Sequence, residues 1–220
     1  LLRDIANRRD ALAKAAAEQS VAEAEGLERT GTAEALDRAV RILRGVPETK
    51  DALLARRRDD MLARVRTRFG GLKLAQAREL MKAAGQAQDG GDFVAARDAF
   101  TNARLVLEVD VLAEQPDATR LLEVARGSER SLDEYLREAD RLTATARDAE
   151  KAGEWEKTLG ILQRLVKERP NAPAVRDGTL RYPLAIATEP PGAVVRQGDA
   201  EVGRTPCVVT YPPGKRTPFL

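Results

Sequence analysis

The apolar residues of this chain recur at helical spacing over most of its length and switch to alternation near its end. From Leu1 to Glu28 the positions Leu2, Ile5, Ala6, Leu12, Ala13, Ala16, Ala17, Val21 and Ala24 form a helical stripe with charges between them, predicting one amphipathic helix. Gly26 and Gly31, with Thr30 and Thr32, mark a break. Thr32 is placed to cap a second helix carrying Leu36, Ala39, Val40 and Leu43, which stops at Gly45-Val46-Pro47. A third pattern starts near Glu48 and runs through Leu53, Leu54, Met61, Leu62, Val65 and Phe69. Gly70-Gly71 then predicts a bend or short loop before the stripe resumes with Leu72, Leu74, Ala77, Leu80, Met81 and Ala84.

Gln88-Asp89-Gly90-Gly91-Asp92 is a clearer turn, followed by a helix with Phe93, Ala96, Ala99, Phe100, Ala103 and Leu107 that closes around Gln115-Pro116. Residues 117–152 repeat the scheme with Leu121, Leu122, Val124, Ala125, Leu132, Tyr135, Leu136, Ala139, Leu142 and Ala146, softened at Gly127-Ser128. After Gly153-Glu154-Trp155 a last helix carries Leu159, Leu162, Leu165 and Val166 and ends at Arg169-Pro170-Asn171-Ala172-Pro173. The expected units are helical hairpins over about 1–47, 48–116 and 117–172.

Beyond Pro173 the period changes to two. Tyr182, Leu184 and Ile186 alternate as in a strand, and Ala193-Val194-Val195 and Cys207-Val208-Val209 predict two more. Pro190-Pro191-Gly192, Gln197-Gly198-Asp199 and Gly203-Arg204-Thr205-Pro206 separate them, with glycine at 192, 198 and 203 expected to supply positive φ. The fold class is therefore mainly α: a helical repeat region over 1–172, a linker over 173–181 and a small all-β module over 182–220.

Three glycine turns, at Gly31, Gly91 and Gly153, lie about sixty residues apart, each between a long helix and a shorter one, which is the mark of a repeat array. The segments GDFVAARDAF and GEWEKTLGIL resemble the turn and second helix of a tetratricopeptide unit, with Gly91 and Gly153 in the turn and Phe93 and Trp155 beside it. GTAEALDRAV lacks the aromatic, and the spacing is longer than that family's 34-residue period. The expected architecture is tetratricopeptide-like, or an irregular α-solenoid. Phe93 and Trp155 are expected to be core wedges between paired helices.

The segment IATEPPGAVVRQGDAEVGRTPCVVTYPPGKRTPF resembles a PEGA domain. The matching positions are Pro190-Pro191-Gly192-Ala193, Val194-Val195, Gly198, Val202-Gly203-Arg204-Thr205-Pro206 and Pro213-Gly214, with Pro191 standing where the family name places glutamate. That resemblance implies a small β-sandwich-like module of a bacterial envelope or surface protein, often found beside tetratricopeptide arrays or on receptor-like serine/threonine kinases. It carries over no catalytic residues and implies binding or architecture outside the cytoplasm. The family's closing strands are missing, so the module is expected to be incomplete and to leave an open edge for self-association.

Composition narrows the chemistry. Of the 220 residues 43% are hydrophobic, enough for a core, whereas 33% are charged and only 4% aromatic, as for solvated helices packed through Ala and Leu. No histidine is present, which removes a Ser/His/Asp triad, a Cys/His pair and histidine metal sites from this chain. The single Cys207 allows no internal disulfide and is expected as a small buried apolar residue. Carboxylate pairs such as Asp59/Asp60 and Glu154/Glu156 sit on charged segments with no apolar pocket to raise a pKa, and Gly70-Gly71 and Gly90-Gly91 lack the lysine of a phosphate loop. No catalytic residue, metal or cofactor is expected.

The formal net charge of +2 hides segregation: about +5 over 1–88, −5 over 89–177 and +2 over 178–220. RRRDDMLARVRTR crowds Arg56, Arg57, Arg58, Arg64, Arg66 and Arg68 into a few helical turns. Arg56, Arg57, Arg64 and Arg68 are candidates for partner binding, and a surface over 50–82 could take nucleic acid or an anionic membrane face. Asp59 and Asp60 interrupt the run and no aromatic offers base stacking, so a solvated or helix-pairing face is the favoured reading. No window spans a bilayer, LLRDIANRRD lacks the apolar core of a signal peptide, and the chain is expected to be a piece of something longer. Its expected function is a non-enzymatic scaffold that holds a protein or peptide partner, with the β-module attaching to an envelope component. The alternatives are the regulatory or sensor region of a receptor-type serine/threonine kinase, and anionic-surface binding through 50–82.

Overall fold

The computed structural model describes residues 2–47, 50–197 and 199–211, and for residues 2–6 the backbone alone. Among the described residues the chain forms seven α-helices, one 3-10 turn and four short strands. Three hairpins account for the helical part: α1 (Leu2–Thr30) with α2 (Ala33–Arg44), α3 (Ala52–Asp89) with α4 (Phe93–Leu107), and α5 (Pro116–Lys151) with α6 (Trp155–Glu168). The 3-10 turn Asp110–Leu112 joins the second hairpin to the third, and a single helical turn α7 (Pro173–Arg176) precedes the strands. The chain packs as two compact units, Leu1–Ala83 with Ala99–Arg126 and Ala84–Asp98 with Gly127–Leu220.

The turns repeat in atomic detail. Gly31, Gly91 and Gly153 have φ of 71°, 73° and 73°, the left-handed region in which a Cβ would meet the following carbonyl. At the second and third turns the bonds Gly91 N–H to Gln88 O with Asp92 N–H to Ala87 O, and Gly153 N–H to Glu150 O with Glu154 N–H to Ala149 O, make a Schellman pair. At the first, Gly31 N–H reaches Leu27 O alone, the simpler left-handed cap. The residue after each glycine opens the next helix: Thr32 Oγ1 accepts from Ala35 N–H and Asp92 Oδ1 from Ala95 N–H, whereas Glu154 caps through its backbone only.

Burial is in phase with these glycines. Counting back from each one, Ala17, Ala77 and Ala139 stand at one equivalent position and Ala24, Ala84 and Ala146 at another, a heptad apart, and all six are buried. Counting forward, Leu36, Ala96 and Thr158, then Val40, Phe100 and Leu162, then Leu43, Ala103 and Leu165 are buried in the second helices. Small residues at heptad spacing on the long helix let the short helix approach closely, which is why so few aromatics suffice for the core. The principal cluster of the first unit joins Val21, Ala24, Leu36, Leu43, Met61 and Val65. That of the second joins Leu142, Ala146, Leu162 and Leu165 with Leu180 and Tyr182.

Several expectations are corrected. Gly70-Gly71 does not bend the chain: α3 runs unbroken through both, as α5 does through Gly127-Ser128. Packing overrides the cost of glycine there, because Gly70 is buried where a Cβ would lie 2.7 Å from the Gln115 side chain and close to Leu112 and Val111. Leu12 and Leu53, placed in the expected core stripes, are 72% and 82% exposed. Around Leu12 the long helix α1 is tied instead to the two residues before α3 by polar pairs, Lys50 to Asp10 and Lys14 to Asp51. The third helix begins at Ala52, with Asp51 Oδ1 accepting from Leu53 and Leu54 N–H; Glu48 lies outside the described residues.

Among the described residues the β region holds four strands rather than three. Strand β1 (Tyr182–Ile186) pairs antiparallel with β4 (Cys207–Tyr211), Leu184 opposite Val209, and β2 (Val194–Gln197) pairs with β3 (Ala200–Arg204), Val195 opposite Gly203. A register shift after Val195 makes β3 irregular, and its sequence AEVGR carries one exposed valine, so alternation did not announce it. Gly203 lies inside β3 without positive φ; its place is a tight one, since a Cβ there would sit 3.2 Å from Cys207 Sγ. Cys207 is half-buried on that contact. Gly192 has φ of 99°, while Gly198, Pro213 and Gly214 lie outside the described residues.

Candidate functional site

The arginine run is the first candidate to place. Arg57 Nη2 lies 2.6 Å from Glu25 Oε1, Arg64 3.6 Å from Glu28, and Arg68 Nη1 donates to the backbone oxygen of Glu28 at 2.8 Å. These three side chains reach back to the last turns of α1, where cations meet the negative end of the helix and its unsatisfied carbonyls. Gly31 leaves room for the Arg68 guanidinium, since a Cβ there would lie 2.5 Å from Nη2. Arg56 pairs loosely with Asp60 at 3.9 Å and Arg58 with Asp59 at 2.8 Å, both exposed on α3 itself. Five of the six arginines therefore spend their charge on the α1–α3 pairing or on their own helix.

The aromatic positions behave differently from each other. Phe93 stands edge-on to Tyr135, ring centroids 4.7 Å apart, and Tyr135 carries Arg169 over its face at 5.0 Å and accepts a hydrogen bond from Asn171 N–H. Arg176 closes the same corner on Asp92 at 3.3 Å, and the Asn171 side chain fills the space beside Gly91. Phe93 is thus half-buried against Tyr135. Trp155, at the equivalent place after Gly153, has no ring partner among the described residues and lies half-buried over a shallow depression with Glu154, Glu156 and Lys157.

In the β region one buried hydroxyl organises the turn motif. Thr205, 4% exposed, accepts from Ala193 N–H at 3.0 Å and contacts the Thr188 hydroxyl, which donates to Pro190 O at 2.9 Å. Each hydroxyl has one proton, so the order of donation is settled: Ala193 N–H to Thr205, Thr205 to Thr188, Thr188 to Pro190. Gly192 N–H to Thr205 O and Thr205 N–H to Ala193 O complete the lock between Pro190-Pro191-Gly192-Ala193 and Gly203-Arg204-Thr205-Pro206.

One cleft with an apolar floor was not among the expected sites. It lies in the first unit beside α2, with a volume of about 350 Å³, and its floor is Val40, Phe69, Val109 and Val111. Its rim is charged: Arg41 pairs with Asp37, and Arg44 with Asp110 at 3.3 Å. An apolar floor inside a ring of exchangeable ion pairs suits an aliphatic or aromatic side chain flanked by charge. The one sequence signal was apolar residues where no helix stripe asked for them, Val109 and Val111 in the loop after α4. Among the described residues no helix is long and apolar enough to cross a membrane. Comparison with protein-family models, curated proteins and solved structures found no match to this chain.

Proposed function

We propose that this chain is a non-enzymatic interaction scaffold: tetratricopeptide-like hairpins hold a peptide segment, and a PEGA-like β-module attaches them to an envelope or surface component. The observation that carries the reading is the cleft beside Phe69. The first hairpin buries the repeated positions Leu36 and Leu43 in its own core, yet Val40 and Phe69 also floor a recess that is open among the described residues. The tetratricopeptide-like part is supported by the three left-handed glycine turns in phase with buried positions, and the PEGA-like part by the hydroxyl relay that makes Thr205 essential to its motif. Attachment outside the cytoplasm follows from that likeness alone.

The test is selection of peptides from a random displayed library on the immobilised chain, followed by binding to variants. Peptides with one large apolar residue beside a charged one are expected. Val111→Asp places a carboxylate on the floor and should weaken them by about tenfold or more. Arg44→Glu, an exposed change that leaves folding intact, should alter preference for the flanking charge. Selected peptides that bind both variants as well as the parent, or a library that yields no peptide competing at this cleft, refute the reading.

A further inference from the structure

The third hairpin departs from the other two at one buried and one half-buried position, and both departures line one cavity. Where the first two hairpins have Val21 and Met81 in the long helix, the third has Thr143; where they have Leu36 and Ala96 in the short helix, it has Thr158. Thr158 is only 1% exposed, and with Thr205 it is one of two buried polar residues among those described. Between these threonines and residues 179–181 lies a cavity of about 120 Å³, floored by Ala146, Leu162 and Leu180.

The remaining lining is polar and specific in sign. Thr143 donates to Ala139 O at 2.8 Å, Thr158 to Glu154 O at 3.1 Å and Thr179 to Ala174 O at 3.2 Å, so each hydroxyl proton is committed. What the hydroxyls still offer is lone pairs, and Glu150, also on the wall, is an acceptor as well. Arg147 and Arg181, the remaining polar groups of the lining, are donors only. Neither arginine has an acidic partner among the described residues, whereas Arg141 and Arg164 share Glu138. Glu150 is likewise without a cationic partner there. Acceptors for an ammonium group, guanidinium groups for a carboxylate and a short apolar floor thus meet in one place.

We infer that this cavity binds a small free α-amino acid. A cavity of about 150 Å³ accepts benzene, so about five heavy atoms fit within this one of about 120 Å³, and alanine, with six, fills it and reaches its open mouth. The ammonium group meets Glu150 and the threonine lone pairs, the carboxylate meets Arg147 and Arg181, and the side chain lies on Leu162 and Leu180. This assignment stands independently of the peptide cleft, which lies in the other unit.

Calorimetric titration of the 220-residue chain with L-alanine, L-serine and L-valine tests it, beside propionate, which lacks the ammonium, and alaninamide, which lacks the carboxylate. At least one amino acid is expected to saturate, and its half-ligands to bind about tenfold or more weakly. Arg147→Gln should weaken the amino acid and leave alaninamide unchanged. Thr158→Val, which restores an apolar residue of equal shape, should weaken both and leave the chain folded. Should Thr158→Val lose the fold, Arg147→Gln at the exposed mouth decides alone. No saturation with any amino acid at about 10 mM, well above the range of a weak specific ligand, overturns the inference. So does propionate binding as tightly as the amino acids, which would make the cavity a plain anion site.

Discussion

Two glycines of the third hairpin should respond to the same substitution with opposite sign. Gly127 lies in the interior of α5, exposed, with nothing within 4 Å of the Cβ that alanine would add. Gly153 is equally exposed and equally open, but its φ is +73°. Neither variant meets a clash, so backbone conformation alone separates them. Gly127→Ala restricts the unfolded chain in favour of a helix it already forms and should stabilise by about 0.8–1.0 kcal/mol. Gly153→Ala must hold a Cβ in the left-handed region and should destabilise by about 1–2 kcal/mol. For a chain of this size each kcal/mol moves Tm by about 2–4 °C, so the two midpoints should lie roughly 4–12 °C apart. Gly153→Asn, the side chain that tolerates this conformation best after glycine, should fall between glycine and alanine. Thermal melts followed by circular dichroism, with urea titrations to check that the slope m is unchanged, measure all three. A Gly153→Ala chain as stable as the parent would refute the left-handed turn, and with it the repeat register built on Gly31, Gly91 and Gly153.

Thr205→Val keeps shape but leaves Ala193 N–H without its acceptor and breaks the relay to Thr188; a loss of about 1–3 kcal/mol, with faster amide exchange at Ala193, is expected from hydrogen-exchange measurements. Lys14 and the Leu53 and Leu54 N–H groups hold the Asp51 carboxylate below its ordinary range, and Arg126 and Arg104 do the same for Glu108. Depressed carboxylates stabilise the fold above their unfolded pKa and lose that contribution as pH falls through the folded one. Stability should therefore decline below about pH 4, and less steeply in Asp51→Asn, as acid titration of Tm will show. Replacing Arg64 and Arg68 by Gln should change stability by about 1 kcal/mol or less, because exposed pairs contribute little, and leave any retention on heparin almost unaltered; retention that vanishes in the double variant would return the arginine face to the list of binding surfaces.

Periodicity, turn chemistry and the spacing of three glycines determined the hairpins, because each is a local property: a stripe at helical spacing, a residue able to adopt positive φ and a cap need only a few neighbours in sequence. The same locality explains the failures. Gly70-Gly71 and Gly127-Ser128 looked like breaks because local propensity counts against helix there; packing of the Gln115 segment on Gly70, and the rest of a long packed helix around Gly127, decided otherwise. Leu12 lay in phase with the stripe and is exposed, since phase says which face of a helix is apolar but not how far along it a partner extends. Strand β3 escaped notice because its pairing with β2 contains a register shift, and only its partner's backbone makes AEVGR a strand. The two cavities belong to the same class of fact. Val40, Phe69 and Val111, or Thr143, Thr158 and Arg181, are far apart in the chain. No pattern within any one segment could say that they line a common space, because that is set by how helices and loops pack against one another.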